Sequence, residues 1–169
     1  VAKHIPDGAS IAFSIGTTPE VVALALMQHK NLRIITNNLN IAMLAAANQS
    51  FEITVAGGRI RNDDRDIIGY EAEKLFSAYR VDFGIFGVAG VDEDGTLLDF
   101  YEGEVHARQK ILKNCRNSLL VLDSTKFSRL AHVRGGYIGD VSKIFCEIMP
   151  PEPIVKKINA SSGELVICQ

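Results

Sequence analysis

Apolar runs just long enough for a strand alternate along this chain with segments long enough for a helix. "SIAFSI", "PEVVALALMQHK", "LRIITN", "LNIAMLAAANQS" and "FEITVAGG" follow one another in that order. A strand can pair in parallel with the next only after a crossover, so this rhythm implies βαβ units. "VDFGIFGVAG" and "SLLVLD" are apolar throughout instead of alternating, the pattern of strands covered on both faces, and they read as central strands of the same sheet. Between them "EGEVHARQKILKN" reads as a helix. "SKIFCEI", "PEPIVKKINAS" and "ELVICQ" follow as strand, short helix and final strand. The expected class is α/β, a mostly parallel open sheet with helices on both faces.

A length of 169 residues at 47% hydrophobic content supplies one sizeable core, so residues 1–169 read as a single domain. Pro150, Pro151 and Pro153 mark a turn into the last helix, because too little chain follows for a second core. A net charge of -2 argues against direct contact with nucleic acid or anionic lipid. The three cysteines, Cys115, Cys146 and Cys168, are odd in number and never form a C-x-x-C pair, which argues against disulfides or structural zinc and for a reducing cytoplasm. No stretch reaches the roughly 18 apolar residues of a membrane span, and the first ten residues lack a secretory layout. A soluble protein without membrane partner, cofactor or metal is expected. The start at Val1, without an initiator methionine, reads as an excerpt of a longer polypeptide.

Ligands of open parallel sheets bind where strand C-termini meet the following loops. Five such loops read Gly16-Thr17-Thr18, Asn37-Asn38, Gly57-Gly58-Arg59, Gly90 to Gly95, and Asp123-Ser124-Thr125-Lys126. In "SIGTTPE" Gly16 allows a tight turn, Thr18 suits an N-cap and Pro19 the first helical position. The same stretch aims free N–H groups and two hydroxyls outward, so simple capping and phosphate binding are both open. Asn37 and Asn38 fit turn chemistry as well as ligand contact. Gly57 and Gly58 permit close backbone approach, with Arg59 and Arg61 as anion partners or solvated side chains. On a helical wheel of "EGEVHARQKILKN", Val105, Ile111 and Leu112 define an apolar arc. Glu104, Arg108 and Gln109 fall on or beside it, whereas His106 and Lys110 point away. Either Glu104 pairs with Arg108 at i, i+4, or Glu104 accepts from ligand hydroxyls while Arg108 supplies charge. Asp123 and Lys126 offer an acid and a base at the crevice edge. "DEDG" at Asp92 to Gly95 reads as a hairpin turn. The chain has no P-loop, G-x-G-x-x-G, G-x-S-x-G or H-E-x-x-H, so hydrolysis and metal chemistry have no support.

Together "SIGTTPE", "ITNNLN", "AGG", "DFGIFGVAGVDEDG", Glu104-Val105 and "DSTKFSR" make this chain resemble the C-terminal sensor domain of DeoR-family bacterial transcriptional regulators over nearly its whole length. The resemblance implies a fold similar to ribose-5-phosphate isomerase, a phosphorylated sugar or polyol as effector, and a homo-oligomer. It also implies an N-terminal winged helix-turn-helix, not contained here, as the part that binds operator DNA. Carried over position by position, it puts the phosphate on Gly16, Thr17 and Thr18 with help from Lys126. Asn37, Asn38, Gly57, Gly58, Gly90, Glu104 and Asp123 then line the rest of the crevice. The alternative is a sugar-phosphate isomerase, which needs a carboxylate base. Gln109 stands where that glutamate is expected, so Glu104 would have to substitute from another turn of the helix. A sensor that has lost its ligand and serves only in assembly is the third possibility.

Overall fold

The computed structural model describes residues 1–168. In chain order the first half comprises β1 (Ser10–Phe13), α1 (Thr17–Ala25), β2 (Arg33–Thr36), α2 (Leu39–Ala45), β3 (Glu52–Val55), β4 (Ile60–Arg61), β5 (Asp66–Ile67) and α3 (Tyr70–Ser77). The second half comprises β6 (Val81–Phe86), β7 (Gly90–Val91), β8 (Thr96–Asp99), α4 (Glu102–Asn114), β9 (Cys115–Val121), β10 (Val133–Tyr137), β11 (Lys143–Cys146), α5 (Glu152–Asn159) and β12 (Glu164–Ile167).

Seven strands form one parallel sheet in the order β12-β11-β9-β6-β1-β2-β3, as the apolar runs imply. Alternate residues of each strand feed opposite faces. Ile11 and Phe13 of β1 pack with Val22 of α1, Leu26 just past its end and Ile41 of α2. Ala12 packs with Ala72, Phe76, Ala107 and Ile111 from α3 and α4 on the other face. Beyond β1 the chain builds outward to β2 and β3, and it returns on the opposite side of β1 with β6. The loops after β1 and β6 therefore diverge, leaving a crevice at a topological switch point.

A second, antiparallel sheet, β10-β8-β7, packs its Val91 and Leu97 against Phe86, Leu120 and Ile138. The Asp92 to Gly95 turn joins β7 to β8, with Gly95 donating to Asp92 O at 2.9 Å and adopting φ +87°, as an Asp-Gly turn requires. Gly90 belongs to this sheet, so "VDFGIFGVAG" is not one strand: β6 stops at Phe86. The β4–β5 hairpin, α3, β8 and β10 do not stand out in the sequence pattern.

One local expectation is corrected. Gly16, not Thr18, is the N-cap of α1, and Pro19 is the third helical residue. Gly16 takes φ +122° and ψ 154°, a region closed to residues with a side chain. The chain thereby enters the helix earlier than a hydroxyl cap at Thr18 would allow.

Candidate functional site

At the switch point lies a cleft of about 340 Å³. Its lining comes from Ser14 to Pro19 after β1, Gly87 to Ala89 after β6, and Val121 at the end of β9. Asp99 to Tyr101, Glu104 and Arg108 close it from β8 and α4, and Asp64, Lys126 and Arg129 reach it from neighbouring loops.

The start of α1 is electrically open. Thr17 and Thr18 occupy its first two positions, whose N–H groups have no intrahelical acceptor, and no side chain caps them. Pro19 has no N–H, and the Glu20 N–H is already taken by Gly16 O at 3.1 Å. Lys126 lines the same cleft, with its Nζ 3.7 Å from Asp123 Oδ2. Arg129 stacks over the Phe100 ring at 5.4 Å.

A buried ion pair forms another part of the wall. Arg108, only 2% exposed, donates through Nη1 to Asp99 and through Nη2 to Gly135 O at 3.2 Å. Its Nε has no partner among the described residues. Asp99 also accepts the Ala89 N–H at 3.1 Å. Burial pushes the Asp99 carboxyl above the usual range, against the lowering pull of Arg108 and the Ala89 N–H. A Cβ at position 135 would lie 1.9 Å from Arg108 Nη2, so only glycine fits beside this guanidinium.

Glu104 does not pair with Arg108. It lies in close charge contact, not an aligned hydrogen bond, with Arg61 Nη1 at 2.6 Å. Burial raises its pKa, the Arg61 contact opposes that, and the neighbouring Asp99 and Asp64 add to the rise. Arg61 is thus no free anion partner. It forks onto Asp66 with two bonds of 2.9 Å and meets Asp64 at 3.0 Å. Arg59 is exposed.

Of the residues singled out from the sequence, Gly16, Thr17, Thr18, Glu104, Arg108 and Lys126 share this cleft. Asn37 and Asn38 do not line it and are almost fully buried. Asn37 exchanges bonds with Ile67, 2.8 Å from its side chain and 2.9 Å to its carbonyl. Asn38 caps α2 by accepting from the Asn40 and Ile41 N–H groups, and its amide donates to Glu20 at 2.9 Å. Gly57 and Gly58 are exposed outside the lining. Gly90 is buried where a Cβ would meet Arg129 O at 2.4 Å. Asp123 caps its own 3₁₀ turn, Ser124–Lys126. Gln109 is exposed on α4 and also lies outside the cleft.

Sequence reasoning passed over Ser14, Asp64, Gly87, Asp99, Phe100, Tyr101 and Arg129. Asp99 carried a usable signal, since it ends the apolar "TLLD" as Asp123 ends "SLLVLD". Among the described residues no group of three potential ligands is gathered for a metal, and no helix is long and apolar enough to cross a membrane.

Comparison with known proteins adds an independent line. Residues 1–147 match the family described as the DeoR C terminal sensor domain. The chain is 47% identical over 168 residues to the glycerol-3-phosphate regulon repressor of Haemophilus influenzae, covering 99% of this chain and 65% of that protein. It is 42% identical over 168 residues to the repressor of the same name from Escherichia coli, covering 99% of this chain and 67% of that one. The chain thus spans about two thirds of the length of these curated relatives. Ribose 5 phosphate isomerase A from Neisseria gonorrhoeae aligns with a TM-score of 0.53 over 78% of this chain and 50% of its own, at 12% identity. That likeness shows a shared fold alone.

Proposed function

Because this chain belongs to the DeoR C terminal sensor domain family, we propose that it is the effector-sensing part of a bacterial transcriptional repressor, with a phosphorylated sugar or polyol bound in the cleft beside α1. The observation that carries this reading is the uncapped start of α1, opening into a cleft that Lys126 also lines. A phosphate placed there meets two free N–H groups, two threonine hydroxyls, the positive end of the helix dipole and an ammonium group. The hydroxyls of the same ligand meet Glu104 and Asp99 as acceptors. In this reading Asn37, Asn38, Gly57, Gly58, Gly90 and Asp123 shape the loops without touching the ligand.

Catalysis is not part of the proposal. Moving a proton between adjacent carbons requires a carboxylate free to accept it. Gln109 carries an amide and lies outside the cleft, and Glu104 is held against Arg61. Operator contact belongs, on this view, to a part of the protein beyond this chain, and regulation acts through an oligomer. The effector shifts the oligomer only by binding two arrangements with different affinity, and fixed half-site spacing makes a modest rotation sufficient.

Calorimetric titration with glycerol 3-phosphate, ketose phosphates and hexose phosphates, run beside an isomerase assay, tests the proposal. Binding without turnover is expected. Turnover would replace the sensor with an enzyme, and absence of both would leave an assembly module. Thr17→Val is expected to weaken binding by about tenfold, the loss of one charge-assisted hydrogen bond, with the fold unchanged.

A further inference from the structure

The cleft wall is not uniform in charge. Among the described residues Arg61 is the one cation in contact with Asp64, Asp66 and Glu104, at 3.0, 2.9 and 2.6 Å. Its fork is committed to Asp66, which is fully buried and does not line the cleft. Asp64 and Glu104, which do line it, share what remains of that one positive charge, so the two carboxylates together stay net negative. The other arginines of this hairpin do not help: Arg65 reaches toward Asn40 at 3.5 Å, and Arg59 forms no ion pair among the described residues. Arg108 is matched by Asp99. The other cationic side chains of the lining are engaged elsewhere: Lys126 lies 3.7 Å from Asp123, and Arg129 packs over the Phe100 ring.

We infer that two lining carboxylates sharing one guanidinium make the cleft selective for ligands with a single anionic group, and that Glu104 and Asp64 are the residues that reject a second phosphate or a carboxylate. The inference rests on the sensor reading and deepens it. A hydroxyl both donates and accepts, so it suits a wall holding the carboxylates of Glu104 and Asp99. A second anion only accepts, and it would sit against two like charges inside a partly desolvated cleft.

The experiment compares matched probes in which the phosphate is kept and the far end varied. Glycerol 3-phosphate is titrated against 3-phosphoglycerate, and fructose 6-phosphate against fructose 1,6-bisphosphate, at one ionic strength. The doubly anionic member of a pair is expected to bind at least about tenfold more weakly, since a like charge at contact range costs that much even when screened. Glu104→Gln is expected to narrow the ratio. Asp64→Asn, at a residue whose side chain is 51% exposed and can be changed without risk to the fold, is expected to narrow it less. Equal affinities within each pair, a preference for the second anion, or a ratio unmoved by both variants overturns this inference while leaving the sensor reading standing. No binding by any probe overturns both.

Discussion

α1 and α2 leave neighbouring strands on the same face of the sheet and pack on each other, and both follow a polar turn after an apolar strand. Their first turns are nevertheless opposite in character. The α2 end is closed: Asn38 supplies the cap from its own side chain, and the neighbouring Asn37 is tied to β5 through Ile67. The α1 end is open, because its cap position is a glycine with nothing to fold back. Polar residues after a strand therefore mean two different things. Where the side chain satisfies the helix, the loop is architecture, and where glycine leaves the N–H groups unmet, the loop can receive an anion.

The difference can be broken most sharply by placing a carboxylate over the free N–H groups of α1, because its own Glu20 is held by Asn38 and Asn40. Thr18→Asp is expected to cut affinity for a phosphate-bearing ligand by at least about 100-fold through like-charge repulsion and competition for the same donors. Its folding stability should be unchanged or slightly raised. Titration together with denaturant unfolding checks both halves, and a variant that binds as before would show that the α1 end is not the receiving site. The converse change, Asn38→Ala, is expected to cost about 2 kcal/mol of stability by removing a buried cap and its bond to Glu20. Affinity should stay within about twofold, since Asn38 does not line the cleft and reaches α1 only through Glu20. A loss of binding comparable to that of Thr18→Asp would erase the distinction between the two ends.

The smallest effect concerns the loop after β9, which is closed twice: Asp123 caps it, and Glu147 at the end of the neighbouring strand accepts the Ser124 N–H at 2.6 Å. That bond pulls the Glu147 carboxyl from an ordinary 4.5 down to about 2. A carboxylate with a depressed pKa stabilises the fold above its unfolded value, and the contribution fades as pH falls from about 4.5 toward about 2. Glu147 is exposed, so solvent screening keeps the contribution small. Comparing denaturation midpoints of the protein and Glu147→Gln across that interval should show the wild-type advantage shrinking with acid, and a constant difference would refute the linkage.

The parallel sheet was legible because strands buried on both faces must be apolar along their length, and α4 was bounded correctly as "EGEVHARQKILKN". The antiparallel sheet was not. β7 has two residues, β8 four, and β10 reads "VRGGY", with two glycines and an arginine interrupting any alternation. Losing that sheet hid Asp99, and with it the partner that explains why Arg108 can sit on a buried arc. The loops after β1 and β2 looked alike for a different reason. Residue type announces hydrogen-bonding capacity, but whether it is spent inside the protein depends on chain segments far away, here Ile67 for Asn37.

Asp99, Arg108 and Gly135 interlock, each fitted to the others by charge or by the absence of a side chain. Single substitutions among them leave a lone buried charge or a steric collision, so this floor resists stepwise evolutionary change. Rim positions such as Thr17 and Asp64, exposed and lightly constrained, can vary one at a time. New ligand preferences in a lineage built on this scaffold should therefore accumulate at the rim, over an inherited floor.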